Sequence, residues 1–247
     1  MVRSLVSVRR PGPFGTSTAD HSLLTTPLRR LKSTGPGFLS DLEVDLGRYL
    51  DHATGLSPDS LSRAEALAYW INVYNAGALL LAGQAQKAGL GSVMGIPGGF
   101  NQEVIRVDGE SLSLDDIEHG KLRRFRDPGI HAALVCGAVS CPTLRSEPYR
   151  GETLGDQLDD QLRNFLMAGA LEIDEDRKVV YLSRLFLWFG GDFTRPNRMP
   201  TFLPARRSRV LSALRPWMDP AVARWINEAD PAVEFQGYDW GLRCTVR

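Results

Sequence analysis

The chain has few cysteines and no excess of either charge. Cys136, Cys141 and Cys244 are its three cysteines in 247 residues, and 29 lysines and arginines balance 29 aspartates and glutamates. An odd, sparse set of cysteines is not a secreted disulfide framework and fits thiols kept reduced in a cytoplasm. Nucleic-acid-binding proteins normally carry a basic face, so the zero net charge argues against nucleic acid as a partner.

The sequence also lacks a long uninterrupted apolar run. Its longest apolar stretch, INVYNAGALLLAG, contains two asparagines and is shorter than the ~20 residues that a bilayer span requires. We therefore expect no membrane span and a cytoplasmic protein. With 43% hydrophobic residues, a chain of this length can form its own core without metals or crosslinks.

Residues 1–38 differ in composition from the rest of the chain. They contain six basic residues and one acidic residue, with proline, glycine, serine and threonine throughout and no sustained period. Such a composition is typical of disorder. We interpret residues 1–38 as a disordered basic arm and residues 39–247 as a single α+β domain.

The strongest predicted helix begins at Ser62, which forms a capping box with Glu65, and stops at Gly89. Its apolar residues cover nearly all of its faces, so two asparagines within it, Asn72 and Asn75, are expected to be buried. A buried amide without partners costs ~1–3 kcal/mol. We expect both to tie loop backbone around residues 97–103 or 137–143 to the core; direct contact with a substrate is the alternative.

Several further elements follow from periodicity and turn signals. Asp108-Gly109 predicts a β-hairpin turn, and a helix capped by Asp115 follows, on which Glu118 shares a face with apolar residues. Burying an unpaired carboxylate is costly or raises its pKa, so Glu118 and the adjoining His119 are candidates for chemistry. The other predicted elements are helices in 38–50, 151–169, 184–193 (ended by its glycine pair) and 204–227, a second hairpin turning at 174–177, a buried strand over 130–136, and a strand or extended clamp over 232–242.

The stretch HAALVCGAVSCPTL holds two of the three cysteines. Strand alternation places Cys136 in the core, whereas Cys141 lies beyond a glycine, beside Pro142, where a side chain can face a cleft. A cysteine nucleophile needs an adjacent base. We predict Cys141 as the nucleophile with His119, in preference to His131, as the base.

Two neighbouring groups complete this candidate site. Glu118 would orient the base or polarise a substrate, and Ser140 is a weaker nucleophile or a substrate-binding group. No metal site is expected, because the cysteines and histidines lack the paired short spacings of zinc sites. We expect no cofactor.

Five motifs resemble one family in content and order. They are AYWINVYNAGAL, VDGESLSLDDIEHGKL, IHAALVCGAVSCPTLR, FLWFGGDF and YDWGL. Together they resemble the domain of unknown function family numbered 547 over about residues 40–242. The resemblance implies a domain of bacteria, plants and animals, often one module of a larger protein, without an established activity. Gly241 and Arg243 depart from the usual serine and asparagine of that family.

Three functional hypotheses follow from these residues. The first is a thiol-dependent hydrolase or acyl transferase with a Cys–His pair. The second is a non-catalytic interaction or scaffolding domain whose thiols are packing residues, since free cysteine is often buried. The third is a thiol redox protein, which ranks below the hydrolase because the spacing is not Cys-x-x-Cys and Cys136 is expected to be buried. The partner would be a small molecule or another protein.

Overall fold

Helix α4 (Arg63–Lys87) runs through the centre of the molecule. The computed structural model describes residues 2–247, apart from the side chains of Val2, Arg3 and Leu5. As predicted, the Ser62 side chain caps α4 by accepting a hydrogen bond from the Glu65 N–H (3.3 Å). By length and hydropathy α4 is the one described helix that could span a membrane, but 94% of that window is buried inside the protein. It is therefore the core helix, in agreement with the expectation of no membrane span.

Helices cover 58% of the chain and strands 10%, which confirms the α+β class. The remaining α-helices are α1 (Val2–Ser7), α2 (Ser22–Thr34), α3 (Glu43–Thr54), α5 (Leu114–Asp116), α6 (Ile130–Ala133), α7 (Leu154–Phe165), α8 (Arg184–Thr194), α9 (Arg207–Leu214) and α10 (Pro220–Ala229), and short 3-10 and π segments make up the rest of the helical residues. The strands are β1 (Ile105–Val107), β2 (Glu110–Leu112), β3 (Leu171–Asp174), β4 (Val179–Leu182) and β5 (Ala232–Phe235).

Within the predicted disordered arm, residues 1–38, the structure places helix α2 against the core, so the prediction of disorder does not hold for that segment; Met1 lies outside the described residues. Helix α2 buries Leu24, Leu28 and Leu31 in the same core cluster as α4. These leucines lie on one helical face, since they are four and three positions apart. The basic and small residues between them dominated the composition and concealed this stripe.

Both predicted hairpins are present. β1 pairs antiparallel with β2, and the turn residues Asp108 and Gly109 both have positive φ (49° and 76°), as a tight hairpin turn requires. β3 pairs antiparallel with β4. β5 then adds to β4 in parallel, giving a three-stranded sheet in the order β3-β4-β5.

The predicted strand over 130–136 is wrong in its first half. Residues Ile130–Ala133 form helix α6, and the backbone becomes extended at Leu134. Periodicity cannot distinguish a short buried strand from a buried helical turn.

Three local details of the helices also differ from prediction. The cap of α5 is Ser113, which forms a capping box with Asp116, rather than Asp115. Gly190 and Gly191 lie inside α8 rather than at its end, and a Cβ at Gly190 would come within 2.8 Å of Val210 on α9. The predicted helix over 204–227 is two helices, α9 and α10.

After β5 the chain crosses the loop that contains the thiols. The Val139 N–H donates to the Gly241 carbonyl (2.9 Å), and the Arg243 N–H donates to the Gly137 carbonyl (2.9 Å). The predicted terminal clamp is thus present. It carries Tyr238 and Trp240 to the site described next.

Candidate functional site

The thiol loop, residues 136–141, starts from a segment held by helix α4. Asn75 accepts a hydrogen bond from the Val135 N–H (3.0 Å) and donates one to the Ala133 carbonyl (2.9 Å). The next turn needs Gly137, whose φ is +75°; a Cβ there would also lie 3.1 Å from Val93. The chain therefore reverses directly after Cys136.

This reversal brings the two thiols together. Cys136 Sγ and Cys141 Sγ lie 3.0 Å apart, within hydrogen-bond distance, and both are free thiols with partial exposure. The prediction that Cys136 is a core residue was wrong. Alternation along a strand does not apply to a residue that ends a short extended segment.

Cys136 is the better placed of the two thiols to ionise. In the structure the Cys136 thiol and the Cys136 N–H (2.8 Å) both donate to Cys141 Sγ. Once Cys136 is deprotonated, its sulfur can accept hydrogen bonds from the Cys141 thiol, from the Tyr238 hydroxyl 3.0 Å away, and from the Ala138 backbone N–H. The hydrogen bond from Cys141 lowers the pKa of Cys136 most, and the bonds from Tyr238 and Ala138 lower it further. Burial opposes this effect but does not cancel it. Burial raises the pKa of Cys141 well above its ordinary value.

The two thiols line a pocket of about 170 Å³, which we call the thiol pocket. Its walls include four of the predicted site residues, Glu118, His119, His131 and Cys141. Much of the remaining wall is aromatic, supplied by Tyr74, Phe100, Trp188, Phe189, Tyr238 and Trp240. The pocket is thus mainly apolar, with a few titratable groups inside it.

Three of these rings form one packed cluster at the wall. The ring centroids are 4.8 Å apart between Trp188 and Tyr238, 4.6 Å between Tyr238 and Trp240, and 5.9 Å between Trp188 and Trp240. Because these separations are those of direct ring contact, a ligand would lie against the cluster rather than between its rings.

Glu118 is half-buried, as predicted. Its Oε2 accepts a hydrogen bond from the Tyr74 hydroxyl (3.3 Å). Burial first, and the neighbouring Glu118 carboxylate second, raise the pKa of Tyr74 well above its ordinary value. Tyr74 is therefore a neutral donor that holds Glu118 at the pocket wall.

The two histidines bond to groups other than the thiols. His119 lies between Asp115 (Nε2 to Oδ1, 3.4 Å) and Arg123 (Nδ1 to Nη1, 3.3 Å). His131 Nε2 lies 3.0 Å from Asp192 Oδ2, and its ring stacks on Phe189 at 4.0 Å. Burial lowers the pKa of His131 despite Asp192. Within residues 2–247, neither imidazole hydrogen-bonds to a cysteine sulfur.

Behind the histidines lies a buried ion pair that the sequence analysis did not identify. Asp192 is fully buried and accepts hydrogen bonds from Arg123 Nε (2.7 Å), Arg123 Nη2 (3.0 Å) and the Thr201 N–H (3.0 Å). Burial opposes ionisation, but the bonds from His131 and Arg123 lower the pKa of Asp192 to about 2. The sequence did contain a signal for this ion pair. Asp192 is the single carboxylate in the apolar motif FLWFGGDF, just as Glu118 is a carboxylate among apolar residues.

Asn72 and Asn75 are both buried and hydrogen-bonded to backbone, as predicted. Asn72 accepts from the Tyr149 N–H (2.9 Å) and donates to the Tyr149 carbonyl (2.8 Å), and Asn75 holds Ala133 and Val135. The predicted loops were wrong, since neither 97–103 nor 137–143 receives these bonds. Both asparagines lie outside the lining of the thiol pocket.

Ser140 is partly exposed and also lies outside the thiol pocket. Its Oγ accepts a hydrogen bond from the Asp239 N–H (2.9 Å), and its own N–H donates to the Asp239 carbonyl (3.2 Å). Ser140 therefore ties the thiol loop to the C-terminal clamp.

The α+β fold thus brings two thiols, two histidines and a carboxylate to one largely aromatic pocket. Residues 58–166 match the family model DUF547, described as a protein of unknown function. This match confirms the resemblance to that family over a segment that includes the thiol loop, Glu118 and both histidines. Tyr238 lies outside the matched segment. Neither the curated proteins nor the solved structures include a match to the chain.

Proposed function

We propose that the protein is a dithiol–disulfide redox protein in which Cys136 is the attacking thiolate and Cys141 the resolving thiol. The observation that carries this proposal is the 3.0 Å separation of Cys136 Sγ and Cys141 Sγ, with further donors directed at Cys136. The thiolate is the species that attacks a disulfide. A second thiol at this distance needs a small movement to form the intramolecular disulfide.

The chemistry consists of two exchange steps. In the first, the Cys136 thiolate attacks one sulfur of a substrate disulfide, forms a mixed disulfide and releases the first substrate thiolate. In the second, Cys141 loses its proton to solvent and attacks Cys136 Sγ, which forms the Cys136–Cys141 disulfide and releases the second substrate thiolate. Two electrons pass from the protein dithiol to the substrate disulfide.

The histidine geometry favours this proposal over a Cys–His hydrolase. A base for the nucleophile has to reach it by a hydrogen bond. Both ring nitrogens of His119 are occupied, by Asp115 and Arg123, and Nε2 of His131 lies at Asp192. Hydrogen bonds from donors of the pocket, rather than proton transfer to an imidazole, are the means by which Cys136 is activated.

The surroundings of the thiols also favour chemistry over a purely structural role. A packing cysteine is normally enclosed by apolar groups, as Cys244 is. Cys136 and Cys141 instead line a pocket and are partly exposed. An aromatic wall at this pocket suits the apolar part of a disulfide substrate.

The test uses dipyridyl disulfide, an aromatic disulfide whose released thiopyridone is measured by absorbance. Reduced wild-type protein is expected to release two thiopyridones per molecule and to lose two hydrogens in intact mass. Cys141→Ser should release one and keep a pyridyl adduct on Cys136. Cys244→Ser, the matched control, should behave as wild type. A folded protein that forms no Cys136–Cys141 disulfide, or that is labelled first at Cys141, would refute the proposal.

A further inference from the structure

A second pocket lies on the other side of the thiol loop. Its volume is about 580 Å³, and it is lined in part by Ser140, Cys141, Glu172, Gln236 and Arg243. We call it the polar pocket. Cys141 lines both pockets, whereas Cys136 lines the thiol pocket and does not appear in the wall of the polar pocket. Cys141 is therefore reached from both pockets, and Cys136 from the thiol pocket.

This arrangement bears on how the Cys136–Cys141 disulfide is reduced back to the two thiols. A reducing thiolate attacks one sulfur of the disulfide and expels the other, and the thiol of lower pKa leaves faster. Cys136 is the better leaving group, because the Tyr238 hydroxyl and the Ala138 N–H can still donate to its sulfur when Cys141 is held in a mixed disulfide. Attack is thus favoured at Cys141, which is the residue that the polar pocket reaches.

The polar pocket carries separate charges of both signs. Arg243 and Glu172 are both exposed, and within residues 2–247 neither takes part in a salt bridge or a side-chain hydrogen bond. Gln236 donates its amide N–H to the Gly169 carbonyl (2.8 Å), which holds this side chain in place at the wall. The pocket volume falls in the range typical of small-molecule sites.

We propose, on the basis of the redox function above, that a small zwitterionic thiol reduces the Cys136–Cys141 disulfide through the polar pocket. Arg243 binds its carboxylate and Glu172 binds its ammonium group. This assigns the class of reductant, an amino-acid-like or short peptide thiol. It also assigns Cys141 as the sulfur that this thiol attacks.

The reduction balances with two such thiols. The first thiolate attacks Cys141 Sγ, forms a mixed disulfide with it and expels Cys136 as thiolate. The second attacks the ligand's sulfur in that mixed disulfide, which yields the small-molecule disulfide and the Cys141 thiolate. Cys141 then takes up a proton, because burial raises its pKa. Two electrons pass from the two thiols to the protein.

The test compares four small thiols that differ in charge: cysteine, mercaptopropionate, cysteamine and mercaptoethanol. For each thiol, the rate of reduction of the oxidised full-length protein is divided by the rate with Arg243→Ala, which removes differences in intrinsic thiol reactivity. This ratio is expected to be about tenfold for cysteine and mercaptopropionate, the factor equivalent to about 1.4 kcal/mol. It should be close to one for cysteamine and mercaptoethanol.

Two variants sharpen the comparison. Glu172→Ala should slow reduction by cysteine and cysteamine but not by mercaptopropionate. Arg209→Ala, the matched control, removes an exposed arginine of α9 outside the lining of the polar pocket and should leave all four rates unchanged. An equal loss with every thiol in Arg243→Ala would mean that the arginine does not recognise a carboxylate and would overturn the proposal.

The attacked sulfur is identified by acid quenching shortly after cysteine is added, followed by peptide mass mapping. The cysteine adduct is expected on Cys141, and an adduct on Cys136 would overturn the inference. A protein that never forms the disulfide refutes the proposed function and this inference together. If the Cys136–Cys141 disulfide forms but the reducing thiol attacks Cys136, or if Arg243→Ala does not change the rate of reduction, the inference alone is refuted.

Discussion

The hydroxyl of Tyr238 lies 3.0 Å from the sulfur of Cys136, although the two residues are 102 positions apart in the chain. The contact depends on the C-terminal clamp, which is fixed to the thiol loop by backbone hydrogen bonds such as that from the Val139 N–H to the Gly241 carbonyl. A phenolic donor at this distance stabilises a thiolate. The terminal segment therefore supplies one of the donors that lower the pKa of a thiol in the family-matched segment.

Tyr238→Phe is expected to raise the pKa of Cys136, because it removes one donor from the thiolate. The midpoint of the alkylation rate against pH should move upward by about one pH unit. Iodoacetamide labelling, with Cys136 quantified by peptide mass, measures this midpoint. Tyr181→Phe, whose hydroxyl accepts a bond from Arg177 on the exposed side of the sheet, is the control. An unmoved midpoint in Tyr238→Phe would show that the phenol does not stabilise the thiolate.

His119→Gln is expected to leave the same alkylation midpoint close to that of the wild type. The reason is that His119 bonds to Asp115 and Arg123 rather than to a thiol, and a glutamine oxygen can still accept from Arg123. The experiment separates the redox proposal from a Cys–His hydrolase. If the substitution abolished the low-pH reactivity of Cys136 in a protein that remained folded, the Cys–His interpretation would become the better one.

Asp192→Asn is expected to destabilise the protein by about 3–5 kcal/mol, the usual cost of leaving one partner of a buried ion pair without its counter-charge. Arg123, which is 1% exposed, would then be a buried cation without a carboxylate. Urea unfolding at neutral pH measures the change in free energy. Asp176→Asn in the exposed turn between β3 and β4 should change it little, and an equal effect of the two substitutions would contradict the prediction.

Asn75→Leu is expected to cost about 3 kcal/mol of unfolding free energy, because it leaves the Val135 N–H and the Ala133 carbonyl buried without partners. The substitution should also alter the position of Cys136, which follows directly. Urea unfolding and the dipyridyl disulfide assay measure the two effects. Asn227→Ala, at an exposed site on α10, is the control. Unchanged stability in Asn75→Leu would mean that leucine is accommodated without loss of these bonds.

The stability of the protein should fall on acidification from pH 6.5 to pH 4, and His21 should account for part of the fall. His21 is buried, with Nδ1 2.9 Å from the Tyr49 hydroxyl, and burial lowers its pKa from 6.5 to about 4. Below pH 6.5 the unfolded chain therefore binds a proton that the folded chain does not. Stability is lost over this interval, by about 3 kcal/mol for His21.

The check is the unfolding free energy of His21→Leu at several values between pH 4 and pH 7. The variant should show a shallower decline than the wild type, whatever its stability at pH 7. His52→Leu, at an exposed position on α3, should keep the wild-type slope. The same slope in His21→Leu and wild type would show that His21 does not titrate differently in the two states.

Local sequence signals determined much of the secondary structure. The Ser62 cap and the continuous apolar faces defined α4, and Asp108-Gly109 defined a hairpin, because capping and tight turns depend on residues that are neighbours in the chain. The position of Glu118 on an apolar face, and the proximity of both histidines to the cysteines in sequence, also pointed to one shared pocket. Two buried asparagines implied backbone partners, since an unpaired buried amide is costly.

The tertiary structure alone decided which groups contact the thiols. Tyr238 reaches Cys136 through a chain crossing, and Asp192 reaches His131 and Arg123 from another helix; both contacts join residues far apart in sequence. Whether the short apolar run at residue 130 becomes strand or helix, and whether the leucine stripe of α2 is buried, depends on the surfaces against which they pack. Burial and hydrogen-bond donors set the order of the two thiol pKa values, and a linear pattern of residues specifies neither. The sequence thus placed Cys141 in a loop and Cys136 in the core, and the fold brought both thiols to one pocket, where the donors around Cys136 lower its pKa.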